Sequence, residues 1–239
     1  MPLTRWRKAA GVLRRTPGLL LLQKVLRRLP FKPIDIGKLC FLRLDRLPDV
    51  PPGMLRGNAS VRAGTPDDLP GLVRLQDKAQ TFRERFKRGD QCVVATVGAL
   101  IIGYEWFADG GSHLESTWGF LIAIPRDFVY AYDAYIDPAH RNTGVWLRFK
   151  AHLSELMKAS GKRGVLTFVD YGNWASLRTH LRFGFKPAES VLAFRVMGLK
   201  LFRTVKAIGP AASSVAAYLA THHALAVRVV HAAVTSRVR

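Results

Sequence analysis

The sequence predicts an α/β protein, and three stretches carry that prediction. A strand at Tyr130–Ile136 runs through a glycine-bearing turn into a helix that begins near Val145. A second strand, Val165–Val169, is followed by a helical segment from Asn173. Upstream, two apolar segments on either side of Gly98 predict a β-hairpin. Strands that alternate with helices in this way are typical of a domain in which helices cover a sheet.

The segment from residue 130 to residue 156 predicts a binding site as well as a fold. Aromatic and β-branched residues dominate Tyr130–Ile136, as a strand prefers. Asp137-Pro138 ends the strand, because proline cannot extend a ladder. Apolar residues of helical period follow at Val145, Phe149, Leu153 and Leu156. A turn of this kind points backbone N–H groups outward at the positive end of a helix dipole, which predicts a phosphate site.

The flanking segments complete the predicted order of elements. Ser60–Ala63 predicts a short strand, and Thr65–Asp68 predicts a helix start, since it offers a threonine N-cap followed by proline. We expect hairpin strands at 93–97 and 100–107, a polar loop at 108–116, a strand at 118–124, a turn at 125–127 and a last strand at 191–197.

Two motifs resemble those of the GNAT superfamily of N-acetyltransferases. Ile136-Asp137-Pro138 and Arg141-x-x-Gly144 are similar to its acyl-CoA-binding motif, V-D-P-x-x-R/Q-x-x-G-x-G/A. Trp146 stands where the second small residue is usual, and its side chain either points into the core or covers the cofactor. Asn173–Phe185 is similar to N-x-x-[AS]-x-x-x-[YH]-x-x-x-G-F. A weaker likeness extends over residues 60–197.

The resemblance implies an acyl-CoA N-acyltransferase fold, with a mixed, mostly antiparallel central sheet flanked by helices. It implies an enzyme that moves an acetyl or other acyl group from acyl-CoA to an amine of an acceptor that the sequence does not identify. Acetyl-CoA or another acyl-CoA is then the co-substrate, without a metal. The residues implied to bind it are Ala134, Tyr135 and Ile136 at the pantetheine arm, Arg141, Asn142, Thr143, Gly144, Val145, Trp146 and Leu147 at the pyrophosphate, and Asn173 at the CoA arm.

The resemblance also suggests how protons move. His180 occupies the position of the family's general acid, often a tyrosine, and a histidine is able to protonate a thiolate near neutral pH. The alternative is a histidine that caps the last turn of its helix. Asp133 is the first candidate base, and the alternative is a buried, hydrogen-bonded aspartate. Further base candidates are Glu105, His113 and Glu115, and an acceptor ammonium also loses its proton to water without a base.

A basic helix is predicted just before the hairpin. Phe82 and Phe86 lie four residues apart among Arg83, Arg85, Lys87 and Arg88. This pattern indicates a half-buried helix with a solvated basic face. Since the region borders the acceptor cleft in the family, a role in acceptor binding is the alternative.

The net charge of +20 is concentrated at the ends of the chain. Residues 1–30 and 195–239 hold eight and seven Lys/Arg and no acid, so all 17 acids lie between them. We therefore divide the chain into a basic N-terminal extension and connector (1–58), the acyltransferase domain (59–198) and a basic helical C-terminal tail (199–239). Cys40 and Cys92 offer neither a disulfide framework nor metal-site spacing, which favours a reducing compartment.

The charged ends leave alternatives open. Leucines line one face of a predicted helix after Thr16-Pro17, which fits an anionic membrane surface or a helix packed on the domain. One alternative function is therefore a membrane-associated long-chain N-acyltransferase that uses acyl-CoA or acyl carrier protein. A second is a non-catalytic nucleic-acid-binding module, although no nucleic-acid motif accompanies the charge. We expect a cytoplasmic protein, with the inner face of the membrane as the alternative location.

Overall fold

A computed structural model describes residues 25–26, 34–55, 57–115, 117–196, 199–207 and 217–218. These residues divide into two compact units. Unit 1 lies within residues 1–42, 114–121 and 168–239, and unit 2 comprises residues 43–113 and 122–167. The domain boundaries predicted near residues 58 and 198 remain predictions.

The elements follow one another in a mixed α/β order. Short 3-10 turns occur at Pro52–Met54, Pro66–Asp68 and Pro138–His140. The strands and helices, in chain order, are β1 (Ile34–Leu44), β2 (Ser60–Gly64), α1 (Leu69–Leu75), α2 (Ala79–Arg88), β3 (Gln91–Val97), β4 (Leu100–Glu115), β5 (Phe120–Ile136), α3 (Val145–Ala159), β6 (Gly164–Asp170), α4 (Trp174–Arg182), β7 (Lys186–Val196), β8 (Leu199–Ala207) and β9 (Ala217–Tyr218).

Unit 2 contains a mostly antiparallel sheet in the order β2-β3-β4-β5-β6. β3 pairs antiparallel with both β2 and β4. β5 pairs in parallel with β6 over Phe128–Tyr130, opposite Gly164–Leu166. The parallel pair is possible because α3 forms the crossover between its two strands.

Helices cover this sheet through apolar contacts. α3 buries Val145, Phe149 and Leu153, the face that its sequence pattern predicts, and it packs against β2 and β3. α2 buries Phe82, whose ring lies 5.3 Å from that of Tyr104 on β4. The α/β class and the helix-covered, mostly antiparallel sheet are thereby confirmed.

Unit 1 holds β1, β7 and β8 as neighbours, with β7 and β8 antiparallel, and it holds α4. The rings of Phe41, Phe120 and Phe168 form an aromatic cluster with centroid separations of 5.6 to 6.3 Å. Gly37 is required beside Trp118, since a Cβ at residue 37 would lie 2.4 Å from the indole.

Two local predictions in the middle of the chain are wrong. Most of the polar loop expected at 108–116 is strand, because β4 extends to Glu115 with Gly110 and Gly111 at positive φ. The turn expected at Pro125–Asp127 is also absent, since β5 runs through it. The parallel register with β6 begins only at Phe128, so the missing N–H of Pro125 removes no bond of that ladder.

Two further strands lie where the sequence predicted other structure. β1 occupies residues 34–44 of the expected connector. β8 occupies residues 199–207, the start of the expected helical tail. Pairing explains the second difference, because Val196 faces Leu199 in an antiparallel register that continues from there.

Most of both chain ends lies outside the described residues. Val25 and Leu26 are helical, and the rest of the predicted N-terminal helix is not described. Within the described ranges, no helix combines the length and apolar character needed to cross a bilayer.

Candidate active site

The turn between β5 and α3 is held by its own side chains. The Asp137 carboxylate accepts a hydrogen bond from the backbone N–H of Ala139 at 3.0 Å. The Thr143 hydroxyl donates to the carbonyl of His140 at 2.7 Å. Asn142 has φ 65° and Gly144 has φ 86°, so two residues of the turn occupy the left-handed region. That region suits glycine and asparagine, which are the residues present.

Helix α3 begins without a side-chain cap. Gly144 is the N-cap residue, no side chain accepts a hydrogen bond there, and the first turn contains no acid. The earliest intrahelical bond runs from Arg148 N to Gly144 O at 3.1 Å. The N–H groups of the first turn, Val145–Leu147, therefore have no intrahelical acceptor and lie at the positive end of the helix dipole.

The end of β5 approaches β4 closely. A Cβ at Gly103 would lie 2.8 Å from the carbonyl oxygen of Tyr135, so only glycine fits at that point of β4. The Arg141 guanidinium folds back and donates from Nε to the carbonyl of Ile136 at 3.1 Å. Ala134 is exposed, while Tyr135 and Ile136 are half-buried. The turn and the strand end thus form one fixed surface.

Trp146 packs toward its own helix and the sheet. The Lys150 ammonium lies 5.0 Å from the centroid of the indole, and Lys150 is fully buried beside Glu105. Trp146 itself is half-buried. Of the two orientations left open by the sequence, these contacts favour the one directed into the protein.

Asp133 is engaged by two cations. Arg85 donates to its Oδ2 at 2.5 Å, and the Lys78 ammonium lies 3.2 Å from its Oδ1. Asp133 also has φ 43°, a positive value inside a strand. Arg85 stacks 4.9 Å from the ring centroid of Tyr132, so consecutive residues of β5 face the same helix. The positive φ of Asp133 departs from regular strand geometry, which is consistent with neighbouring side chains of β5 facing the same way.

A histidine and two tyrosines adjoin this ion pair. The His113 ring lies 4.1 Å from that of Tyr132, and the Tyr132 hydroxyl donates to Asp90 at 2.6 Å. Burial lowers the pKa of His113 to about 4, with Arg88 and Arg85 acting in the same direction and Asp90 opposing them. Burial raises the pKa of both Tyr104 and Tyr132 above the usual range. All three rings are therefore neutral at pH 7.

Unit 1 holds the remaining predicted residues, Asn173 and His180. The Asn173 side chain is the N-cap of α4 and accepts from Ser176 N at 3.2 Å. His180 is buried, and its Nδ1 lies 2.8 Å from the carbonyl oxygen of Ser176. Because a carbonyl only accepts, Nδ1 carries a proton, and Nε2 carries one only when the ring is an imidazolium.

Within unit 2 the structure brings together three predicted groups: the β5 end (Ala134–Ile136), the turn and helix start (Arg141–Leu147), and Asp133. Sequence reasoning missed the partners Lys78, Arg85 and Lys150. The sequence does contain one indication that Lys150 is buried, since it lies between Phe149 and Leu153 on the apolar side of a helix. Among the described residues, no group of three or more His, Cys, Asp or Glu could hold a metal ion.

Comparison with solved structures identifies the fold. A tandem GNAT protein from the clavulanic acid biosynthesis pathway is 14% identical over 69% of this chain, with a TM-score of 0.50, and the match spans 55% of that protein. An aminoglycoside N-acetyltransferase in complex with CoA is 16% identical over 53% of this chain and 91% of its own, with a TM-score of 0.44. An N-acetyltransferase from Staphylococcus aureus Mu50 is 18% identical over 54% of this chain and 84% of its own, with a TM-score of 0.41.

Comparisons with protein-family models and with curated proteins give no match. The structural likeness to the tandem protein, at such low identity, shows the fold alone. The chain has the GNAT N-acetyltransferase fold.

Proposed function

We propose that the protein is an N-acyltransferase that moves an acetyl or other acyl group from acyl-CoA to an amine. The observation that carries the proposal is the path of β5. Its parallel register with β6 ends at Tyr130, and the strand continues to Ile136 before the uncapped start of α3. A strand that leaves its neighbour supports strand-like binding of an extended arm, and the helix start supports binding of a pyrophosphate.

The assignment of residues follows from this path. N–H groups from Asn142 to Leu147 bind the pyrophosphate, and Ala134–Ile136 bind the pantetheine arm. Arg141 holds the end of the strand through the carbonyl of Ile136 and adds positive charge beside the phosphates. Asn173 contacts the CoA arm, as the motif suggests. The thioester then extends along β5 toward Asp133.

The reaction needs a neutral amine and a proton for the leaving thiolate. The amine nitrogen bonds to the thioester carbon, the C–S bond breaks, and sulfur takes a proton from His180 acting as an imidazolium. Both Asp133 oxygens already accept from cations, so we assign Asp133 to positioning Arg85 and Lys78. The acceptor nitrogen loses its proton to water. Surplus positive charge from Lys78, Arg85 and Arg88 against Asp133 and Asp90 favours a neutral amine.

The test combines mass spectrometry with an acceptor screen. We expect purified protein to carry CoA species in native mass spectra. We also expect it to release free thiol from acetyl-CoA when amines are added, with the acetylated amine detected by mass. Absence of CoA binding at millimolar acetyl-CoA would contradict the proposal.

The acid-free ends of the chain favour a second proposal, that the enzyme works at an anionic membrane surface. Residues 1–30 carry eight Lys/Arg with a Leu-lined face, and each cation near an anionic leaflet contributes about 1 kcal/mol. We expect the full chain to sediment with anionic liposomes at low salt, and a chain lacking residues 1–30 to do so much less. Full-length protein left in the supernatant would exclude this surface anchor.

A further inference from the structure

Two cations share one carboxylate beside the end of β5. Arg85 donates to Oδ2 of Asp133 at 2.5 Å, and the Lys78 ammonium lies 3.2 and 3.4 Å from the two carboxylate oxygens. Hydrogen bonds between an ammonium and a carboxylate usually measure about 2.7–2.9 Å, so Lys78 is the more loosely held partner. Asp133 directly precedes Ala134–Ile136. Both cations therefore lie next to the segment assigned above to the pantetheine arm.

The charges around this carboxylate do not balance. We call the following five residues of unit 2 the α2 charge cluster: Lys78, Arg85, Arg88, Asp90 and Asp133. Arg88 is matched by Asp90 at 2.6 Å, which leaves Lys78 and Arg85 against the single charge of Asp133. The cluster thus has one positive charge more than its carboxylates compensate.

Lys78 carries the surplus charge on the side open to solvent. Its side chain is 39% exposed, whereas that of Arg85 is 11% exposed. Within the described ranges, Asp133 is the one hydrogen-bond acceptor that either side chain contacts. An ammonium has three N–H donors and a guanidinium has five. N–H groups of both cations are therefore left to bind a ligand.

The place of Lys78 in the sequence breaks a local preference. It is the N-cap residue of α2, no side chain caps the helix there, and the first turn contains no acid. Serine, threonine, asparagine and aspartate are favoured at this position, and a cation is disfavoured at the positive end of a helix dipole. Local preferences are broken in this way mostly at functional sites. An anion beside Lys78 would remove the unfavourable interaction.

We propose that the acceptor amine also carries a carboxylate, and that Lys78 binds this carboxylate with Arg85 behind it. The inference rests on the proposed function, because it places the anion beside the strand end assigned to the arm of acyl-CoA. One surplus charge matches one carboxylate, whereas a phosphate monoester brings a charge of about −1.5 to −2. The predicted acceptors are therefore amino carboxylic acids.

Acetyl transfer to matched probes tests the proposal on the full-length protein. The probes are ω-amino acids with chains of increasing length, each compared with its own primary amide, which lacks the negative charge. We expect kcat/KM of wild type to be at least about tenfold higher for the best acid than for its amide, since the amide loses a charge-assisted hydrogen bond.

Variants of α2 assign that preference to a residue. Lys78→Met should lower the acid-to-amide ratio of kcat/KM about tenfold, through a higher KM for the acid. Lys78→Arg keeps the charge and should keep most of the ratio. Lys87→Met is the matched control, because it removes an exposed lysine of the same helix outside the cluster and should leave the wild-type ratio.

Calorimetry with acetyl-CoA separates this inference from the proposed function. If wild type binds acetyl-CoA but acetylates acids and amides equally, or none of the acids, the inference is wrong and the acyltransferase proposal stands. An unchanged ratio in Lys78→Met, or an equal loss in Lys87→Met, would also overturn it. If wild type binds no acetyl-CoA, both proposals fail. The wild-type preference is measured without any variant, so a variant that does not fold leaves this test intact.

Discussion

The carboxylate of Glu105 on β4 accepts a hydrogen bond from the Lys150 ammonium on α3 at 2.5 Å, and both side chains are buried. This pair fixes the helix whose first turn is the proposed pyrophosphate site. It also makes Glu105 a poor candidate base, because its charge is compensated inside the protein.

Removal of one partner should be costly. We expect Lys150→Met to lower the free energy of unfolding by about 3–5 kcal/mol, since it leaves an uncompensated buried carboxylate. The double variant Glu105→Leu/Lys150→Met should recover most of that loss. Urea denaturation measures both. Lys158→Met on the same helix, at an exposed lysine paired with Asp49 and Glu155, should change little. Equal effects of the two lysine variants would refute the argument.

Asp133 offers a test of its role. Asparagine tolerates the positive φ of this position, so Asp133→Asn keeps the backbone and removes the charge. A positioning role predicts less than tenfold loss of kcat and an unchanged pH profile of kcat/KM. Loss of a general base would lower kcat on the order of 10²-fold or more. It would also remove the rise of kcat/KM with pH that deprotonation of the base produces. Steady-state rates across pH 6–9 distinguish the two.

Because His113 is buried, we expect the folded state to lose stability at mildly acidic pH. Its folded pKa of about 4 lies below the unfolded value of about 6.5, so the folded state resists protonation. Stability from this group is fully present above the unfolded pKa and is lost as pH falls toward the folded one. The loss is at most ~3 kcal/mol. Denaturant titrations of wild type and His113→Phe should diverge in slope between pH 6.5 and 4; parallel curves would contradict the assignment. Burial lowers the pKa of His152 as well, and both proteins share that contribution.

A substitution at His180 distinguishes a role as general acid from a role as helix cap. With Nδ1–H bound to Ser176, only the imidazolium has a second proton to give. We expect His180→Phe to lower kcat on the order of 10²-fold, with CoA affinity near wild type. Full kcat, where chemistry limits turnover, would leave His180 with a structural role only.

Local signals predicted most of the elements, and distant pairing explains the errors. Val145, Phe149 and Leu153 showed the buried face of α3, and Asp137-Pro138 showed where β5 ends. By contrast, the outer half of β4 contains two glycines and several polar residues, which are weak strand signals. β8 contains Phe, Thr and Val, but it is placed by its pairing with β7, which no single segment of sequence reveals.

The backbone conformation of the candidate site could be predicted from the sequence, but the ion pairs of its charged residues could not. Gly144 and Asn142 are readable because left-handed conformations restrict residue type. The partners of Asp133, Lys78 and Arg85, lie 55 and 48 residues away along the chain, so their proximity depends on how α2 packs on the sheet. A carboxylate that looked like a base is therefore an ion-paired residue in the structure.

Titration of acetyl-CoA into wild type, Gly144→Asn and Gly144→Asp tests the central claim most directly. Asparagine and aspartate bear the left-handed φ of 86° with similar strain, and the two variants differ by one negative charge at the start of α3. We predict binding by wild type, a modest loss in Gly144→Asn, and a further loss of at least about tenfold, or about 1.4 kcal/mol, in Gly144→Asp. Equal affinity of the two folded variants would contradict the assignment of the pyrophosphate to this turn.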